Sequence, residues 1–257
     1  MGTRPTAALL VAILAAAVAA CGSSGDGATG QGGGALVVSA ASSLADAFPV
    51  YARSLPGPVR FQFAGSDELA AQIRQGVTPD VFAAASPRFP EQLHAEGLVG
   101  RPVAFATNQL VLAVRRGGRV RTLADLAKAG TTIAIGSPDV PIGSYTRDVL
   151  SRLGAARADA VLANVRSEEP DVKGIVGKLS QGAVDAGFVY LTDVAAAATQ
   201  LRAIVLPARL QPQVVYEAAV VTGAPRRARA RAFVAGLVEG DAQTALKAAG
   251  FGAPPAR

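Results

Sequence analysis

The sequence predicts an α/β protein in which largely parallel sheets are covered by helices. Two observations carry that expectation. From residue 36 onward, short β-rich runs alternate with amphipathic helical patterns, and no internal repeat of fixed period accompanies them. The 257 residues are also 50% apolar, mostly Ala, Val and Leu, with few aromatics and no tryptophan. Such a chain can bury a substantial core, as one large domain or as two lobes of ordinary size.

The pattern begins only after a leader. "MGTRPT" carries Arg4, and the apolar run "AALLVAILAAAVAA" that follows has the form of a signal-peptide h-region, too short and too early for a membrane span. The run ends in Val18-Ala19-Ala20-Cys21, which resembles the lipobox of bacterial lipoproteins. That resemblance implies a signal peptide over 1–20, cleavage before Cys21 and a lipid anchor on its thiol. The anchor would hold the protein outside the cytoplasm, at the cell membrane. Cys21 is the sole cysteine, so no internal disulfide can form. Residues 21–35 are Gly-rich with no apolar face, a flexible tether spanning roughly 20 Å.

Strands are then expected at 35–40, 59–63, 80–85, 108–114, 131–136, 160–164, 186–191, 202–207 and 214–221. Helices are expected near 43–55, 67–75, 87–96, 123–129, 143–153, 172–181, 225–238 and 241–249. Helix starts carry their own signals. Thr122 with Asp125 forms a capping-box pattern, and Gly130 supplies the stop. Ser66 precedes Asp67 and Glu68, acids suited to a helix N-terminus. The cluster "PRRARARAF" at 225–233 reads as the solvated face of a helix, with Ala228, Ala232 and Phe233 turned inward. The net charge of +6 is otherwise scattered, and no nucleic-acid motif accompanies it.

The chemistry expected of an enzyme is largely missing. The single histidine, His94, falls on an exposed helix near its end. With Cys21 lipidated, thiol catalysis and a Cys/His zinc site are excluded. No G-x-S-x-G elbow occurs. "GIVGKLS" fails the phosphate-loop spacing, since Val172 stands where a Gly is needed and Ser180 comes one residue late. Asp46, Asp67, Asp80, Asp139, Asp171, Asp185 and Asp193 lie at many strand ends, yet their spacing forms no metal loop. What remains is a set of small, polar junctions: "AASSL", "AGSDE", "DVPIGS" and "EEPDVKG", with Tyr190 at a strand end. Backbone N–H groups, hydroxyls and helix N-termini are the ordinary means of holding an anion without a counter-charge. Ser43 and Ser66 suit simple helix caps equally well, and Tyr190 suits core packing.

At these junctions the sequence resembles the substrate-binding protein of bacterial molybdate ABC importers. "AASSLADAF", "FAGSDELAAQIRQGVTPDVFAAAS", "NQLVLAV", "IAIGSPDVPIGSYTRDVLSRLG" and "DAGFVYLTDV" occur in the family's order over residues 36 to about 252. The resemblance implies a two-lobed, type II periplasmic-binding-protein fold, each lobe a mostly parallel sheet flanked by helices. Lobe one would comprise 36–107 and 217–257 and lobe two 108–216, with hinges near Asn108 and Tyr216.

It further implies capture of molybdate or tungstate by neutral donors, with no protein ligand to the metal itself, no cofactor and no reaction catalysed. Ser43 and Ser66 match the binding serines, Ile142 and Val172 the backbone N–H donors, and Tyr190 the binding tyrosine. Ser42 is the alternative to Ser43, and Ile142 stands where the family usually has Ala. Asp67 departs from the family's usual small or hydroxyl residue after Ser66, and it is expected to face solvent or to pair with a base, unless the ligand is altered. The implied partners are the oxyanion, an ABC permease and the membrane through Cys21. No nucleic acid is expected, and the protein would be a monomer. Sulfate or phosphate as the ligand, a hydrolase built on two carboxylates, and a non-transport surface lipoprotein are the alternatives.

Overall fold

The computed structural model describes residue 2 and residues 34–255. The expected signal peptide, Cys21 and nearly all of the tether lie outside them.

Two five-stranded sheets organise the chain. The first part runs β1 (Leu36–Ala41), α1 (Phe48–Ala52), β2 (Val59–Ala64), α2 (Ser66–Arg74), β3 (Val81–Ala84), α3 (Arg88–Ala95) and β4 (Val103–Asn108). After Gln109 come β5 (Leu110–Arg115), β6 (Ile133–Gly136), α4 (Pro141–Arg152), α5 (Ala155–Leu162), β7 (Val165–Glu169), α6 (Val172–Gln181), β8 (Ala186–Tyr190), α7 (Leu191–Ala196) and β9 (Leu201–Val205). The chain then returns as β10 (Val214–Val220), α8 (Arg227–Gly236) and α9 (Gly240–Ala248).

The sheet orders are β2-β1-β3-β10-β4 and β7-β6-β8-β5-β9. Within the first, β1 is parallel to β2 and β3, and β10 runs antiparallel between β3 and β4. Within the second, β6 is parallel to β7 and β8, and β5 runs antiparallel between β8 and β9. Each sheet is therefore parallel but for the one strand that arrives from the other half. The chain passes between sheets twice, at Gln109 and again between β9 and β10.

Equivalent carboxylates, one buried and one partly exposed, brace the strand starts of both sheets. Asp80, fully buried ahead of β3, accepts from Val37 N–H at 2.8 Å and Arg226 N–H at 2.8 Å, and pairs with the Arg226 guanidinium at 3.3 Å. Asp185, ahead of β8, accepts from Thr132 N–H at 2.8 Å and pairs with Arg119 at 2.7 Å. Two of the strand-end aspartates thus hold strands together.

Four sequence expectations are corrected. Residues 160–164 are not a strand: Ala-rich α5 covers most of them, and the strand is the polar edge segment Val165–Glu169. Asn108, expected to open the strand 108–114 of the second lobe, instead ends β4 in the first sheet, and the second-sheet strand starts at Leu110, because one continuous stretch changes sheets there. The capping box at Thr122 exists, with Asp125 Oδ2 accepting from Thr122 N–H at 2.8 Å, but it opens a 3-10 turn rather than an α-helix. In α8 the inward residues are Ala230, Phe233 and Val234, while Ala228 and Ala232 are exposed. That face is not merely solvated, since the Arg229 guanidinium donates to the carbonyls of Gly34, Pro56 and Pro58.

Candidate functional site

The carboxyl ends of β1, β2, β3, β7 and β8 converge on one cavity, the place where open α/β sheets bind ligands. Ser42, Ser43, Gly65, Ser66 and Ala85 line it from the first half, and Pro141, Ile142, Asp171, Val172 and Tyr190 from the second. All five residues singled out in the sequence are brought together on its wall, with Ser42 beside Ser43. The cavity holds about 20 Å³. That is little more than the ~10–15 Å³ a single water requires, and far less than the ~300 Å³ or more of a drug-sized pocket.

Three helices open at this wall. Ser66 is the first residue of α2, Ile142 the second of α4 and Val172 the first of α6. The first N–H groups of a helix have no partner within it, and each N-terminus carries about half a positive charge. Pro141 gives α4 a start that loses no donor. Gly143 lets that turn press onto the carbonyls of Gly136 and Ser137, where no side chain fits. α6 is capped by Asp171, whose Oδ1 accepts from Lys173 N–H at 2.7 Å and Gly174 N–H at 3.1 Å. Among the described residues, no lysine or arginine lines the cavity, and Asp171 is the one charged lining residue.

The hydroxyls have distinct surroundings. Ser66 does not cap α2, since Gly65 holds that position; its Oγ accepts the Ala85 N–H at 3.1 Å. Ser43 lies in a 3-10 turn, Ser42–Leu44, with Oγ 2.9 Å from the Tyr216 hydroxyl. The Tyr190 hydroxyl is buried with no hydrogen-bond partner among the described residues. Burial pushes Tyr190 well above the usual tyrosine range, so its hydroxyl keeps its proton at neutral pH and can donate. Under Tyr190, Asp193 Oδ2 accepts the Tyr190 N–H at 3.2 Å. Burial raises the Asp193 carboxyl to about 6, against the pull of Lys173.

Asp67 is corrected: it neither faces solvent freely nor pairs with a base. It is half-buried off the cavity wall, with Oδ1 buried and unpartnered among the described residues. Burial raises its carboxyl, against the N–H groups of Asp67 and Glu68. His94 is exposed, with Nδ1 3.1 Å from the Val99 carbonyl oxygen. Among the described residues, no group of three or more His, Cys, Asp or Glu could hold a metal ion.

Sequence reasoning missed Tyr216 as the partner of Ser43, and Lys173 and Asp46 as a pair across the cleft. The serine and the tyrosine are 173 positions apart, so no local pattern reports their contact. Lys173 adjoins Val172 in "PDVKG", and that adjacency was the available signal.

Two mixed sheets whose strand ends meet at a small cavity lined by hydroxyls and helix N-termini are the architecture expected of a solute-binding protein. The chain belongs to the family described as bacterial extracellular solute-binding protein, whose model matches residues 36–252. It is 35% identical over 258 residues to the molybdate-binding protein ModA of Mycobacterium tuberculosis, covering 96% of this chain and 97% of that one. Among solved structures it resembles the periplasmic molybdate-binding protein of Azotobacter vinelandii, with a TM-score of 0.74 and 24% identity over 86% of this chain and all of that one. It also resembles the sulfate-binding protein SubI of M. tuberculosis, with a TM-score of 0.72 and 16% identity over 84% of this chain and 86% of that one. These two likenesses are of fold.

Proposed function

We propose that the protein captures molybdate or tungstate between its two lobes and hands it to an ABC permease. Ser43, Ser66, Ile142, Val172 and Tyr190 supply the donors. Lobe one comprises the first sheet with α8 and α9, lobe two the second sheet, and Asn108–Gln109 and the approach to β10 act as hinges. The observation that carries the reading is Tyr190: a buried, protonated hydroxyl that, among the described residues, makes no hydrogen bond of good geometry, on a cavity where three helix N-termini meet and no described basic side chain enters. A buried polar hydrogen left unpaired costs about 1–3 kcal/mol, and an oxyanion would satisfy it together with the helix N–H groups. Their combined dipoles suit a dianion, and neutral donors at fixed positions discriminate by size.

The sequence relationship to the mycobacterial molybdate-binding protein supports molybdate over sulfate, because the sulfate-binding likeness is one of fold. Phosphate carries a proton at neutral pH and calls for an acceptor. Asp67 lies off the cavity, and Oδ1 of Asp171 already accepts two N–H bonds. The lipobox-like Val18–Cys21 supports an extracytoplasmic protein anchored by a lipid.

Thermal melting of the purified protein with molybdate, tungstate, sulfate and phosphate in turn tests the reading, since a ligand of the native state raises the midpoint. Molybdate and tungstate should raise it strongly and sulfate weakly. No shift with any of the four ions would refute oxyanion capture, and a shift with phosphate alone would refute the specificity.

A further inference from the structure

Behind Ser43 lies a hydrogen-bond chain with a definite direction. Asn108, the last residue of β4 before the chain crosses to the second sheet, accepts the Gln109 N–H on Oδ1 at 2.8 Å. That bond fixes the amide orientation, because an N–H can only meet the carbonyl side. The Nδ2 of Asn108 therefore faces its other neighbours, Thr192 Oγ at 3.0 Å and the Tyr216 hydroxyl at 3.5 Å. An NH₂ group only donates. Tyr216, fully buried, thus receives at its oxygen, and of the two hydroxyl oxygens beside it, Ser43 Oγ and Tyr190 Oη, its own proton meets Ser43 Oγ at hydrogen-bonding geometry, 2.9 Å away. With a donor already on its oxygen, the Ser43 hydroxyl is left to give its proton away from Tyr216, on the side where Ser43 lines the cavity.

We propose that Tyr216 is a positioning residue which, oriented by Asn108, locks the Ser43 hydroxyl as a donor toward the bound oxyanion. The inference rests on the oxyanion-binding reading and adds a specificity device to it. A hydroxyl free to rotate can accept as well as donate and so tolerates a protonated ligand oxygen. A hydroxyl whose oxygen already accepts from Tyr216 is biased toward donating, and a site built for one pattern of hydrogen bonds disfavours the mismatched ligand. The wall at Ser43 thereby favours fully ionised oxyanions over hydrogen phosphate. Because Asn108 also holds Thr192, just past Tyr190, the chain joins the crossover to donors from both halves.

Calorimetric titration of the wild type, Tyr216→Phe, Ser43→Ala and the double variant with molybdate and with phosphate tests the proposal. Tyr216→Phe should weaken molybdate binding about tenfold, the loss of one charge-assisted hydrogen bond's directionality, and narrow the preference over phosphate. The double variant should bind as Ser43→Ala does, because the tyrosine acts through the serine; a merely structural role would add to the serine's loss instead. Asn108→Asp supplies a second test. Its carboxylate would accept the Tyr216 proton, reverse the chain and turn Ser43 into an acceptor, weakening molybdate more than Tyr216→Phe does, again only while Ser43 is present. Wild-type molybdate affinity and selectivity in both Tyr216→Phe and Asn108→Asp, or additive losses in the double variant, would overturn the proposal while leaving oxyanion capture intact. A wild type that binds none of these ions would overturn the parent reading and this one with it.

Discussion

Lys173 Nζ lies 2.9 Å from Asp46 Oδ2 and 3.3 Å from Asp193 Oδ1. Asp46 follows the Ser42–Leu44 turn of the first half, Asp193 sits beneath Tyr190 in the second, and Lys173 is the residue after Val172. One ammonium group therefore ties the two halves together beside the cavity. Burial works to lower the Lys173 pKa, but Asp193 and Asp46 outweigh it and the group is held above the usual lysine range. Because Asp46 is more than half exposed, the bridge stabilises closure by only about 1 kcal/mol. Lys173→Met should weaken molybdate binding about fivefold, chiefly through faster dissociation in stopped-flow traces. Unchanged dissociation would remove Lys173 from closure.

Gly65 marks a tighter approach between the halves. A Cβ on it would lie 2.6 Å from the Pro170 carbonyl oxygen and 2.7 Å from Asp67 Oδ1. Neither the backbone nor the half-buried carboxylate yields cheaply. Gly65→Ala should therefore hold the cleft ajar, reducing oxyanion affinity by about 10–100-fold. The melting temperature without ligand should change less than the affinity, since separating the halves relieves the Pro170 clash and leaves only the Asp67 side chain, in the same half, to move. Titration of the variant with molybdate checks this, and wild-type affinity would show that closure does not press on Gly65.

Glu217, on β10, gives a pH dependence unrelated to the ligand. Burial and the nearby Glu91 raise its carboxyl to about 7, above an ordinary value of about 4.3. The folded state then binds more protons than the unfolded one between those values. Its contribution is most favourable below about pH 4.3 and is lost as pH rises to about 7. Glu217→Gln should stabilise the protein at pH 8 by about 1 kcal/mol, after allowance for partial exposure, and leave pH 4 stability unchanged. Urea unfolding at the two pH values measures this; equal effects at both would remove Glu217 as the source.

Asp80 tests the bracing of the first sheet. Asp80→Ala leaves a half-buried guanidinium and the Val37 and Arg226 N–H groups without their acceptor. A loss of about 3 kcal/mol is expected, read as a lower urea midpoint at constant slope. A loss below 1 kcal/mol would mean that water replaces the carboxylate.

Much of this was legible in the sequence because it is local. The alternation of strands and helices, the small residues at strand ends and the capping at Thr122 all rest on neighbours a few positions apart. The five candidate ligand residues came from a resemblance, and the residues alone left Ser43 and Ser66 as possible caps. The misreadings share a cause. Residues 160–164 look β-rich locally, and tertiary packing made most of them helix. Asp67 looks solvent-facing at a helix start, and it is partly covered once the chain folds. The Tyr216–Ser43, Lys173–Asp46 and Gly65–Pro170 contacts join segments 173, 127 and 105 positions apart in the numbering, which no periodicity can report.

The central claim is that a tetrahedral oxyanion sits among Ser43, Ser66, Ile142, Val172 and Tyr190. A crystal grown with tungstate and measured for tungsten anomalous scattering tests it most directly. The account predicts one dominant anomalous peak in the cavity, with oxyanion oxygens about 2.7–3.1 Å from the three hydroxyls and the N–H groups of Ile142 and Val172. A cavity without a peak, or a dominant peak held by surface arginines elsewhere, would contradict it.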